Sequence, residues 1–392
     1  MFHFTALPPL ALYIHIPWCV RKCPYCDFNS HALDGDIPDI AYVDCLLADL
    51  EQDLPSIWGR VVSSIFIGGG TPSLLSAEAL DRLLSGLRMR LSIDAYAEIT
   101  LEANPGTLES GKFHEFRAAG INRLSIGCQS FHDEQLQALG RIHDRKAAIR
   151  AAETAHEAGL DNFNLDLMFG LPGQFLPQAL ADIETAMALE PAHISYYQLT
   201  LEPNTLFHHS PPPLPEDDTI WGMQTAAQQA LAKRGYGQYE ISAYARDGQQ
   251  SRHNLNYWQF GDYLGIGAGA HGKVSAADTQ NIRRSWKQKH PASYMAGISG
   301  GKHVAERKLL SPADAGFEFM LNALRLKAGF PTRLFNQHTG LPITVISDAL
   351  AKAEQRGLLE HSIEHIRPTE TGYRFYNDLA ELFLVDNAEN ET

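Results

Sequence analysis

Three cysteines, Cys19, Cys23 and Cys26, fall within the stretch CVRKCPYC, and the chain has only two more, Cys45 and Cys128. With five cysteines in 392 residues, that spacing arises by chance on the order of once in a thousand, so it signals ligation rather than composition. Spacings of three and two let one loop wrap three thiolates around a single group, with Pro17 and Pro24 stiffening the turn. Zinc takes thiolates as readily as iron, and a distant His could complete its tetrahedron, but no second cysteine pair lies downstream. Three thiolates on a [4Fe–4S] cube leave one iron open to a chelating substrate. An odd cysteine count, with three crowded together, also argues against a disulfide scaffold and for a reducing compartment.

The elements that must position this loop are legible as an alternation of apolar runs and helix-patterned segments. Strands are expected at LALYIHI (centred on 12–16), SSIFIG (63–68), AEITLEA (97–103), NRLSIG (122–127), NFNLDLM (162–168) and HISYYQL (193–199). Helices are expected near 38–54, 76–90, 109–119, 145–158 and 176–189. Six strands in βα order predict an α/β fold with a parallel sheet, open or closed as a partial barrel. The runs end in GGGTP, EANPGT, GCQSF and DLMFG, where βα loops carry chemistry.

Glycines at 69 and 70 permit close backbone approach to a ligand, although a tight turn explains them equally well. Glu102, Gln129, Arg141 and Asp166 each finish or follow an apolar run. Taken singly, each is as readily a cap or an ion pair as a ligand contact; convergence would make a cavity. Cys45 and Cys128 read as buried structural thiols.

Past the proline-rich 208–218, a helix near 219–234 and a strand-like QYEISAYA lead into a glycine-rich section, expected to be irregular, reaching about 301. From about 312, short helices, a small hairpin and another helix suggest a winged-helix-like α+β module. The resulting division is a core at 1–240, an irregular connecting region at 241–305 and a C-terminal module at 306–392. Lys+Arg 32 against Asp+Glu 46 gives a net charge of −14, which argues against a nucleic-acid partner and makes the module a packing or docking domain. No apolar run reaches the roughly 18 to 20 residues of a membrane span, and the N-terminus lacks the pattern of a cleavable signal, so a cytoplasmic protein is expected.

CVRKCPYC after a strand, with GGGTP some forty residues later, resembles the radical S-adenosylmethionine (SAM) superfamily. The resemblance implies a partial (β/α)6 barrel of TIM type, a [4Fe–4S] cluster on Cys19, Cys23 and Cys26, and SAM chelating the open iron through its amino and carboxylate groups. It also implies that Gly69, Gly70 and Thr71 approach the SAM amino group, and that Glu102, Gln129, Arg141 and Asp166 contact its amino acid and ribose parts. Tyr13 would lie near the methionine and Tyr25 beside the adenine.

Over essentially its whole length, through YIHIPWCVRKCPYCDFNSH, SIGCQSF, NLDLMFGLPGQ and YQLTLEPNTLF, the chain is most similar to the coproporphyrinogen III dehydrogenase-like branch, and within it to the HemW group of heme chaperones. Phe28 stands where the dehydrogenase has a further cysteine, and barely ten residues precede the first strand, which counts against that enzyme's decarboxylation. HNLNY (253–257) matches the HNxxY motif of the HemW group, making His253 the expected heme ligand with Tyr257 beside it. His271 in GIGAGAHG is an alternative ligand. The resemblance implies a chaperone handing heme to acceptor apoproteins, membrane-associated respiratory proteins among them, with a homodimer and a peripheral membrane location also in view. The alternative is a radical SAM oxidase acting on a porphyrinogen or another substrate through a 5′-deoxyadenosyl radical.

Overall fold

All six apolar runs become strands: β1 (Leu10–Ile16), β2 (Val61–Gly69), β3 (Ser92–Ala103), β4 (Arg123–Gln129), β5 (Phe163–Phe169) and β6 (His193–Gln198). The structure is a computed structural model that describes residues 1–33, 35–106 and 111–384. Each strand pairs in parallel with the next. Between them run α1 (Asp39–Asp53), α2 (Ala77–Arg90), α3 (Phe113–Ala119), α4 (Arg145–Glu157) and α5 (Leu176–Ala188), followed by α6 (Asp217–Lys233). The first residues of the helix expected from 109, and Thr107 of EANPGT, lie outside the described residues.

The strands are apolar because helices cover the outer face of a parallel sheet. Ile65, Ile67, Leu101, Leu124, Ile126 and Leu165 form one buried cluster with Leu46, Leu80 and Leu83 of the helices. Cys128 is buried in the same cluster, whereas Cys45 on α1 is half-buried.

Two expectations for the middle of the chain are corrected. QYEISAYA is not one strand: β7 (Gly237–Glu240) and β8 (Ala243–Ala245) pair antiparallel, and β8 lies antiparallel on β6. The section to 301 is not irregular. It contains α7 (Arg252–Trp258), β9 (Asp262–Ile266), β10 (His271–Ala276) and β11 (Asn281–Lys287), with β12 (Val304–Leu309) just beyond it. β9 is a seventh parallel strand, on the free side of β1. Among the described residues the sheet therefore has 12 strands in the order β12-β11-β10-β9-β1-β2-β3-β4-β5-β6-β8-β7, open at both edges.

Glycine here serves packing rather than disorder. A Cβ at Gly265 would stand 1.9 Å from the His271 carbonyl oxygen, so glycine is what lets β10 return so tightly along β9.

Helices α8 (Pro312–Ala323), α9 (Thr332–Thr339) and α10 (Ser347–Gln355), with β13 (Phe330–Pro331), β14 (Leu359–His361) and β15 (His365–Pro368), build the C-terminal module around a separate apolar cluster. The strands pair in the order β13-β15-β14, with α9 and α10 between β13 and the β14–β15 hairpin, the layout of a winged helix. Phe2 and Phe4 from the N-terminus enter that cluster. Among the described residues no helix is long and apolar enough to cross a membrane.

Candidate functional site

The cysteine loop leaves β1 and is closed at its base, where Trp18–Cys19 pairs in parallel with His31–Ala32. Backbone bonds from His31 N to Pro17 O (2.7 Å) and from Leu33 N to Cys19 O (2.9 Å) complete the closure. Cys19, Cys23 and Cys26 all face one cavity of about 750 Å³. Burial pushes the Cys19 and Cys26 thiols up, so without a metal they are held protonated.

A chain of hydrogen bonds ties the loop to three strand ends. Thr71 Oγ1 donates to Cys19 Sγ (3.4 Å) and accepts from Asn104 Nδ2 (2.9 Å). Arg141 donates to Asn104 Oδ1 (2.5 Å), to Gly127 O (2.8 Å) and to Cys23 Sγ (3.7 Å). Two of the three sulfurs are thus indexed to β2, β3 and β4 through fixed donors. Asn104 was missed in the sequence, because a residue acting through its neighbours leaves no spacing pattern.

The same cavity collects Tyr25, Gly69, Gly70, Thr71, Glu102, Gln129, Arg141 and Asp166. All the expected SAM residues except Tyr13 therefore converge at the C-terminal ends of the strands, the end where parallel barrels place their sites. Tyr13 lines an adjoining cavity of about 410 Å³ that shares Asp27, Phe28, Gly69 and Glu102 with the first.

Electrostatics at these tips call for a ligand. Glu102 accepts from Gly69 N (3.0 Å), yet burial and then the charge of Asp166 push its carboxyl up to about 8. Asp166, held by Ser125 (3.0 Å) and Asn164 (2.9 Å), is also raised by burial. Gln129 is buried in the left-handed region (φ 64), where its strand slips register against β5, and its Oε1 has no partner among the described residues. Strain and an orphaned acceptor together mark a site that something else completes.

Among the described residues no three His, Cys, Asp or Glu side chains close on one point as a single-metal site would. Fit to a cluster with SAM rests on other features. Three thiols share the cavity with the carboxyls of Asp27, Glu102, Asp166 and Glu202, with the unpartnered Gln129 Oε1 and with Arg21, Lys22, Arg141 and Arg325, a lining suited to a ligand that carries both a cationic centre and a carboxylate. Gly69 and Gly70 are held as glycine by the chain's own packing, since a Cβ at Gly70 would meet Trp18 O at 2.4 Å and Gly69 (φ 115) lies against the His15 ring, and this keeps the strand end slim beside the cavity.

With Glu102 raised, the ligand-free folded protein holds a proton that the unfolded chain releases above its ordinary range. Stability therefore falls as pH rises from about 4.5 to 8, by up to about 1.4 kcal/mol per pH unit. Glu102→Gln is expected to flatten that slope in urea denaturation of SAM-free protein. In calorimetry repeated in buffers of different ionisation enthalpy, it should also remove the proton released when SAM binds at pH 7. A wild-type slope in the variant would contradict the assignment.

HNLNY, within the section expected to be irregular, is helical. Ser251 caps α7, accepting from Asn254 N, and the Glu98 carboxylate inside the barrel accepts from Arg252 N (3.1 Å) and His253 N (3.0 Å). His253 is 1% exposed and lines neither cavity. Its Nδ1 is bonded to Ser64 Oγ and its Nε2 to Tyr257 Oη, both at 3.0 Å, while its ring stacks on Phe66. Burial lowers its pKa to about 3.

Direct ligation by His253 would require breaking one of those bonds; Tyr257 reaches the smaller cavity instead. Trp258 lines the larger cavity beneath Arg325 (4.2 Å to the ring), and Phe260 is buried against Phe319, unable to flank a ligand.

Residues 13–185 match the radical SAM superfamily model and 310–375 the HemN C-terminal domain. The Escherichia coli protein named heme chaperone HemW is 52% identical over 97% of this chain and 99% of its own length. The chain belongs to the HemW family. A second HemW, from Haemophilus influenzae, is 49% identical over 97% of this chain and 99% of its own. The solved E. coli coproporphyrinogen III oxidase, a radical SAM enzyme, superposes with a TM-score of 0.81 at 24% identity, covering 96% of this chain and 90% of that one, and so shares the fold. As a radical SAM family, HemW implies a [4Fe–4S] cluster and SAM, the two groups for which the larger cavity is suited.

Proposed function

We propose that this chain is a heme chaperone, which binds heme and passes it to acceptor apoproteins while carrying a [4Fe–4S] cluster and SAM. The observation that carries this reading is full-length identity of 52% to a protein bearing that name. In the proposal Cys19, Cys23 and Cys26 hold the cluster, and Glu102, Gln129, Arg141 and Asp166 surround SAM, with Gly69, Gly70 and Thr71 beneath its amino group. When bound, such a cluster supplies an open iron for chelation and a single electron.

The chain's own residues orient those groups. Arg141 and Thr71 direct hydrogen bonds at two sulfurs, and Glu102 changes protonation as a cation arrives. Phe28, 59% exposed at the rim of both cavities, offers no thiol where the dehydrogenase has one. The same proposal takes the acceptors to include membrane-associated respiratory apoproteins, the location to be cytoplasmic with peripheral membrane contact, and the protein to pair as a homodimer.

Anaerobically reconstituted protein titrated with hemin is expected to develop a saturable Soret band at one heme per chain. The same sample given reductant, SAM and coproporphyrinogen III is expected to form no protoporphyrinogen IX. Absence of the Soret change, or turnover of the porphyrinogen, would overturn the reading.

A further inference from the structure

Three imidazoles lie near the smaller cavity, and two of them are committed. His15 is 5% exposed, with Nε2 donating to Asn29 O (2.8 Å) and Nδ1 accepting from Tyr13 Oη (2.9 Å). His253 is closed off by Ser64 and Tyr257. His271 differs in exposure and in bonding. Like His15 it lines the cavity, but it is exposed, and neither ring nitrogen takes a hydrogen bond from a described residue. Its ring is nonetheless fixed, stacking at 19° on Trp286, its partner across β10 and β11.

The glycine motif that the SAM site leaves unexplained is what brings His271 here. Gly267 (φ 105) packs against His15 O, and Gly269 (φ 78) against the Asn29 amide, where a Cβ would intrude to 2.4 and 2.3 Å. Asn29 Nδ2 donates to Ala268 O (3.0 Å) and Lys289 O (2.8 Å), stitching the turn to the end of the cysteine loop. Around the cavity stand the rings of Tyr13, Tyr257 and Tyr263, a setting for a flat macrocycle, with exposed Lys289 at hand for a carboxylate. Burial and the nearby Arg284 and Lys289 lower the pKa of His271, leaving its nitrogens free to coordinate.

We infer that His271 is the side chain that ligates heme iron, in the cavity beside the SAM site, and that His253 is a positioning residue that sets Tyr257 in its wall. This rests on the heme-chaperone reading. Hemin titration of the full-length, cluster-reconstituted protein tests it through optical and EPR spectra. His271→Ala should lose the imidazole-ligation signature and raise Kd at least about tenfold, with iron–sulfur absorbance and SAM binding retained. Added imidazole should restore the signature.

His271→Met, which keeps an iron ligand, should bind heme with a thioether-type spectrum. His253→Ala should keep the imidazole signature with weaker binding. A wild-type spectrum in His271→Ala or His271→Met, or loss of the signature in His253→Ala, overturns the inference. No heme binding by the unmodified protein overturns the chaperone reading instead.

Discussion

Cys23→Ala is expected to purify anaerobically without its iron–sulfur cluster and to bind no SAM, iron falling from about four per chain toward zero. The loop has three thiols and no spare: the remaining cysteines are Cys45 on α1 and Cys128 in the barrel core, neither lining the cavity. Loss of the Cys23 sulfur also removes the acceptor that Arg141 Nη1 reaches at 3.7 Å, so the guanidinium keeps only its Nη2 bonds to Asn104 and Gly127 among the described residues and no longer ties the loop to β4. Iron and sulfide content, visible absorbance and SAM calorimetry measure the effect. Full iron content in the variant, or stoichiometric zinc with no visible colour in the unmodified protein, would contradict the cluster assignment.

Asp49→Ala should be the most destabilising single change outside the two apolar cores, at about 3–5 kcal/mol. Asp49 on α1 is fully buried and accepts from Lys287 Nζ (2.5 Å), Tyr294 Oη (2.7 Å) and Gly267 N (3.2 Å). Burial opposes its charge, but His303, Lys287 and Tyr294 together hold the carboxyl below its ordinary range. Removing it leaves the Lys287 ammonium, whose side chain is 2% exposed, with Asp53 at 2.7 Å as its one remaining carboxylate partner among the described residues.

The same loss frees the turn that carries His271, so heme affinity should weaken along with stability. Urea denaturation measures the first effect. Adding Lys287→Met should recover part of the loss, because a buried methionine needs no counter-charge. A cost under about 1 kcal/mol would show that α1 and β11 are held by packing alone.

The parallel core was legible because each strand is buried on its outer face and reads as an apolar run, as in SSIFIG and NFNLDLM. β9 was not, since DYLGI opens on Asp262, whose buried carboxylate accepts from Arg60 (2.8 Å) and pairs with Lys273 (3.0 Å). A buried ion pair in place of an apolar residue hides a strand from any reading by hydrophobicity. α7 was hidden for a different reason: seven residues with two asparagines carry little helical periodicity, and only the Ser251 cap announces it. The cysteines, the glycine loop and the acidic strand ends could be located from residue type and spacing, but not which polar atoms were already spoken for. That distinction separates His271 from His253, and it requires the third dimension.

Transfer of heme on contact with an acceptor is what separates a chaperone from a passive heme binder. Heme-loaded protein mixed with rising concentrations of an apo-respiratory hemoprotein, with apomyoglobin as a passive scavenger for comparison, is followed by the Soret change in a stopped-flow instrument. A chaperone hands its cargo over by contact, so the transfer rate should climb with acceptor concentration and exceed the scavenger-limited dissociation rate. A rate independent of the acceptor and equal to spontaneous loss to apomyoglobin would contradict the account.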